Sequence, residues 1–166
     1  MTEAPHGGED SRQDKDLLSH GREEAAGRDR SNAEPDAGDT YDLYRRGLDL
    51  LGRGSAAAAA QLLERAAAAE PLSRSVLEAL ARAQFDAGRY GDAAGSFGQI
   101  VAASPSDDYA QFGLGLALAR TGNPRGAAEH LALAAAMRPD LRHYTDALRH
   151  VRATLRSRAR REGASR

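Results

Sequence analysis

Three prolines, Pro71, Pro105 and Pro139, stand 34 residues apart, and four further columns keep the same step. Gly54, Gly88 and Gly122 form one, and Ala59, Ala93 and Ala127 another. Leu63, Phe97 and Leu131 make a large apolar column, and Gly47, Ala81 and Gly115 a small one. Five columns in one register mean that a single unit is written three times, at 40–73, 74–107 and 108–141. A tandem of this period folds by stacking its units. Each column has a physical task. Glycine closes a first helix, because it takes the left-handed conformation without a steric penalty. Asn123-Pro124 reads as an N-cap followed by proline in the first turn of the next helix. The proline column ends each second helix, since proline disfavours helix at the residue before it. The small residue at 47, 81 or 115 is expected to face the alanine at 59, 93 or 127, with Leu63, Phe97 and Leu131 filling the space between repeats. The fold class is therefore all-α, a solenoid of three antiparallel helix pairs.

The flanks differ in charge. Residues 1–39 carry 11 acidic and 5 basic groups, with Met1, Leu17 and Leu18 as the sizeable apolar residues. Burial of so little apolar surface does not offset the entropy of ordering, so this segment reads as a disordered acidic tail. Residues 142–166 carry 2 acidic and 8 basic groups. There Leu141, Tyr144, Leu148, Val151 and Leu155 recur at alternating steps of three and four, an amphipathic helix stripe. A stack needs a terminal element with one polar face, so 142–166 reads as a capping helix with a basic tail.

Composition narrows the function. The formal net charge is −1, unlike a wholly basic nucleic-acid binder. Alanine accounts for 35 residues, Trp is missing, and there are 3 Phe and 5 Tyr. Such a chain buries a modest core of small side chains, not a large aromatic-walled enzyme cavity. Lack of cysteine excludes disulfides, thiolate zinc sites and thiol nucleophiles. No apolar run approaches the ~20 residues of a membrane span, and the first thirty residues lack a signal-peptide core. A cytoplasmic protein without a membrane partner is expected. His143 and His150 lie two helical turns apart, HExxH is missing, and the adjacent Glu129 and His130 point to different faces. Gly113-Leu114-Gly115 falls inside a helix, where it permits close packing. Asp107-Asp108 suits a helix N-terminus. No enzyme activity, metal or cofactor is expected.

The 34-residue period, the small-small-large columns and the terminal proline resemble the tetratricopeptide repeat, over residues 40–141. With 22 Arg to 1 Lys and abundant Ala, the chain also looks like small stand-alone tetratricopeptide proteins of GC-rich bacteria. It departs from the pattern at Gln84 and Gln111, where a large apolar residue is usual, at Arg46, usually aliphatic, and at Ile100, usually small. The resemblance implies a concave groove lined by the first helices. Its positions fall on Tyr41, Tyr44, Leu48 and Leu51, then Ser75, Glu78, Arg82, Phe85 and Asp86, then Tyr109, Phe112, Leu116 and Arg120. A Glu78–Arg82 pair would sit in its middle. The function implied is a non-catalytic interaction module, a scaffold or adaptor holding a protein partner as a peptide or helix. Other occupants are the Leu17-Leu18 segment of the tail and a second copy in a homodimer. Repeats of this family that grip a terminal carboxylate do so with Lys, Asn and Arg. Those positions here read Tyr44, Leu48, Ala79, Tyr109 and Gly113, which sets that subfamily aside. The alternative function is a nucleic-acid- or ribosome-associated accessory protein acting through Arg152, Arg156, Arg158, Arg160, Arg161 and Arg166. It carries less weight, because no aromatic stacking platform follows Tyr144.

Overall fold

The computed structural model describes residues 37–164. The acidic tail up to Asp36, with Leu17, Leu18 and two of the histidines, lies outside the described residues, as does Arg166. Seven helices follow one another: α1 (Ala37–Gly52), α2 (Ala56–Ala69), α3 (Arg74–Asp86), α4 (Tyr90–Ala103), α5 (Asp108–Arg120), α6 (Pro124–Met137) and α7 (Arg142–Ala164). They form three helix pairs and a capping helix, each packed on the next. One boundary moves. Residues 37–39, assigned to the tail from sequence, open α1, which starts ahead of Thr40.

The turns repeat because their chemistry repeats. Gly54, Gly88 and Gly122 take φ of +80°, +77° and +85°. After each of them the next N–H reaches back to a carbonyl five residues earlier: Ser55 to Leu50, Arg89 to Gln84, and Asn123 to Leu118, at 2.8, 2.8 and 2.9 Å. This closure satisfies carbonyls that the helix end would leave orphaned, and it requires a left-handed residue. Asn123 caps α6 by accepting from the Gly126 N–H at 3.0 Å, with Pro124 as the first helical residue. Asp107 caps α5 in the same way through the Ala110 N–H at 3.0 Å.

The large column is the core, with Leu63 and Leu131 fully buried and Phe97 nearly so. The small column meets it differently from the expected small-on-small contact. A Cβ placed on Gly47 would lie 2.6 Å from Leu63 Cγ, and one on Gly115 would lie 2.6 Å from Leu131 Cγ. The glycine therefore receives the large side chain of its own repeat. In repeat two the column holds Ala81, and Phe97 presses instead on Gly113 of the next repeat, where a Cβ would overlap its ring. The Gly113-Leu114-Gly115 run is thus two packing notches.

The departures from the repeat pattern also resolve. Gln84 and Gln111 are buried but satisfied. The Ser96 hydroxyl donates to Gln84 Oε1 at 2.7 Å. Gln111 Nε2 donates to the Pro105 carbonyl at 2.9 Å, while its Oε1 lies 2.7 Å from His130 Nδ1. With the amide held by Pro105, Nδ1 must be the protonated nitrogen that donates. Ser96 and His130 occupy one column, where repeat one has Leu62. Ile100 is buried against Phe97, Ala110 and Leu114. Arg46 is exposed on α1.

Helix α7 covers the last pair. Tyr144 and Val151 are buried, and Leu141, Leu148 and Leu155 half-buried. Its residues from Arg156 to Ala164 are exposed. No helix among the described residues is long and apolar enough to cross a membrane.

Candidate functional site

Each first helix spends one side on the core, and the opposite sides of α1, α3 and α5 bound two hollows in a row. Tyr44, Leu48, Leu51, Arg74, Ser75, Glu78, Ala79 and Arg82 line the first, about 170 Å³, between α1 and α3. The second, about 120 Å³ between α3 and α5, is lined by Arg82, Phe85, Asp86, Phe97, Tyr109, Phe112, Gly113 and Leu116. Eight of the nine residues singled out from sequence thus line these two hollows. Tyr41 does not. It lines a third hollow, of about 180 Å³, with Thr40, Tyr44, Glu70, Ser73, Ser75 and Val76.

Exposure differs among them. Tyr41, Leu48 and Tyr109 are open to solvent at 58%, 39% and 36%. Tyr44, Phe85, Phe112 and Leu116 are half-buried. Leu51, expected on the uncovered side of α1, is buried with Leu63, Ala79 and Leu80. It belongs to the core, because α3 closes over that edge of α1. Phe112 serves both sides, since its ring stacks on Tyr144 with centroids 4.3 Å apart. The Tyr144 hydroxyl donates to Asp108 Oδ2 at 3.0 Å, and burial first, then this bond, pushes its pKa up.

The charges on the rim pair otherwise than expected. Glu78 is held by Arg74 at 2.9 Å, not by Arg82. Arg74 also reaches the buried Asp107 carboxylate at 2.7 Å, which keeps its guanidinium pKa raised. The nearest carboxylate to Arg82 is Asp86, at 3.9 Å. Arg120 leaves the hollows altogether: Nη1 donates to the Tyr90 hydroxyl at 3.0 Å, and its guanidinium lies 5.3 Å from that ring. Burial raises the Tyr109 pKa. Its ring meets Phe97 edge-on at 6.1 Å.

Sequence reasoning missed Arg74, Phe97 and Gly113 as lining residues. The Arg74–Glu78 spacing of four was a readable signal. The other two were not readable, because Phe97 reaches the hollow only through the notch at Gly113. Among the described residues no three His, Asp or Glu side chains come together as a metal site. What the arrangement offers is two adjoining apolar depressions with a charged rim, a surface for binding.

No curated protein matches this sequence. In three dimensions the chain is similar to the first TPR of Spaghetti (RPAP3), solved bound to HSP90 peptide SRMEEVD. The two are 18% identical with a TM-score of 0.67, over 75% of this chain and 98% of that one. It is similar too to the Sgt2 TPR domain from Aspergillus fumigatus (20% identity, TM-score 0.67, 76% and 84% covered). A MamA RS-1 double mutant gives 21% identity and a TM-score of 0.68, over 72% of this chain and 67% of that one. At such identities the likeness is one of fold. The sequence model of the tetratricopeptide repeat matches twice, at residues 44–107 and 78–141, across all three helix pairs. With the helix pairs, glycine turns and core columns already described, this chain belongs to the tetratricopeptide repeat family, a family of protein-interaction modules.

Proposed function

We propose that the chain is a non-catalytic adaptor of the cytoplasm that holds a protein partner, as an apolar peptide or amphipathic helix, along α1, α3 and α5. The observation that carries this reading is the pair of adjoining hollows walled by Tyr44, Leu48, Phe85, Tyr109, Phe112 and Leu116. Aromatic and Arg side chains supply large contact area at low entropic cost. An amphipathic helix lays its apolar face into a groove of this kind. The RPAP3 domain is bound to an HSP90 peptide. Here the positions that would grip a terminal carboxylate are apolar or tyrosine, so an apolar partner suits the surface better.

Leu48→Ala combined with Tyr109→Ala tests the reading, because both side chains are exposed and their loss leaves the core intact. Partner capture should be abolished, while thermal unfolding shifts by no more than about 0.5 kcal/mol. Capture equal to wild type would remove the groove from the account.

A second reading rests on α7 beyond Val151, where Arg152, Arg156, Arg158 and Arg160 are exposed. It gives that stretch to nucleic acid through counterion release. Deleting residues 156–166 separates the readings, since groove binding survives the deletion and nucleic-acid binding does not.

A further inference from the structure

Arg82 lines both hollows, so it stands between whatever apolar groups fill them. It is also the cation of this face with the least hold on the fold. Arg74 is fixed by the Asp107 and Glu78 carboxylates at 2.7 and 2.9 Å. Arg120 is fixed by the Tyr90 hydroxyl at 3.0 Å and by the ring beneath it. Arg82 has Asp86 at 3.9 Å, beyond hydrogen-bond range, and 60% of its side chain is exposed. We propose, building on the groove reading above, that the partner is an amphipathic helix with an acidic residue between two apolar anchors, and that Arg82 selects that acid.

The geometry and charges narrow the occupant. One anchor enters the hollow beside Leu48 and the other the hollow beside Tyr109, with α3 between them. A helix is ~10 Å across, and residues i and i+7 of a helix are ~10.5 Å apart along its axis, so the two anchors match that spacing. A carboxylate at i+3 then falls opposite Arg82. There it forms a charge-assisted bidentate pair at ~2.8 Å in place of the long contact to Asp86. Elsewhere on this face an acid meets Glu78 on one side and Asp86 on the other, both repulsive. The same two carboxylates do not reward a basic residue at i+3, because Arg82 repels it.

The test is a selection of displayed random 16-residue peptides on the full chain, followed by fluorescence anisotropy of the enriched peptides. The expected result is enrichment of apolar–acid–apolar peptides at i, i+3 and i+7 that weaken at least tenfold on Arg82→Glu. Replacing their acid by Lys should restore binding to that variant. Enriched peptides indifferent to Arg82→Glu, yet lost on Leu48→Ala/Tyr109→Ala, would overturn the acid selection and leave the groove standing. Peptides indifferent to both variants, or no enrichment at all, would overturn the two together.

Discussion

Helices α1 and α3 occupy equivalent places in their repeats, yet four of their columns hold opposite chemistry. Asp42, Arg45, Arg46 and Asp49 on α1 are all exposed. The residues 34 positions later, Val76, Ala79, Leu80 and Ala83, are all buried. The next set, Ala110, Gly113, Leu114 and Ala117, is buried as well, and Tyr144 and Val151 of the fourth set are buried on α7. The difference follows from what lies in front of each helix. Helix α3 packs its four residues on α2, with Ala79, Leu80 and Ala83 against Ala59 and Leu63. In α1 the same face is turned outward, so charge costs nothing there and a leucine would be a liability. The far end mirrors this. Gln111, Gly115 and Leu118 of α5 receive α6, whereas the corresponding Thr145, Arg149 and Arg152 of α7 suit water. A repeat stack needs such polar end faces to remain soluble.

Exchanging the contents of one column breaks the comparison most severely. Leu114→Arg puts the residue of Arg46 into a buried column and should cost more than about 4 kcal/mol, enough to unfold the chain in a urea titration. The reciprocal Arg46→Leu should leave stability within about 0.5 kcal/mol and instead raise self-association in sedimentation velocity. A monomeric Arg46→Leu would mean that the outer face of α1 is already covered. Phe97→Ala, which empties the contact between repeats two and three, is expected to cost about 3–5 kcal/mol by the same titration. A much smaller cost would mean that Gly113 and its neighbours collapse into the space.

The polar pair of repeat two provides a finer test. Gln84→Leu strands the buried Ser96 hydroxyl and should cost about 1–3 kcal/mol. Adding Ser96→Leu recreates the Leu50 and Leu62 arrangement of repeat one and should recover most of the loss in thermal melts. A double variant no better than the single would show that the two repeats differ in more than this pair. The smallest effect concerns pH. Because burial and the Asp108 bond raise the Tyr144 pKa, the folded chain holds that proton more tightly than the unfolded chain does. This contribution is fully present below the unfolded tyrosine value of about 10 and is lost as pH rises beyond it. Tyr144→Phe should therefore lose about 1 kcal/mol at pH 8 yet decline less steeply between pH 9 and 11. It should not become flat, since Tyr109 is raised too.

The candidate site was partly legible in advance. Tyr44, Leu48, Phe85, Tyr109, Phe112 and Leu116 reach the hollows because register alone assigns a residue to the face of its helix. Leu51 did not follow, because whether a boundary position is covered depends on how closely α3 approaches α1. The ion pairs were misjudged for a similar reason. Glu78 has arginines four residues away on both sides, and the choice of Arg74 is set by Asp107, which belongs to the next helix start.

By itself the amino-acid sequence determined the helices, their order, their glycine closures and the size of the residue in each column, since these rest on local chemistry that recurs every 34 positions. Tertiary structure decided what each column touches. Leu63 seats on the Gly47 of its own repeat while Phe97 crosses to Gly113 of the next, and Gln111 finds His130 on the neighbouring helix. Arg46 is at ease because its face is exposed. Period and propensity are properties of one segment, but burial and pairing belong to two segments at once, so they exist only after the helices have stacked.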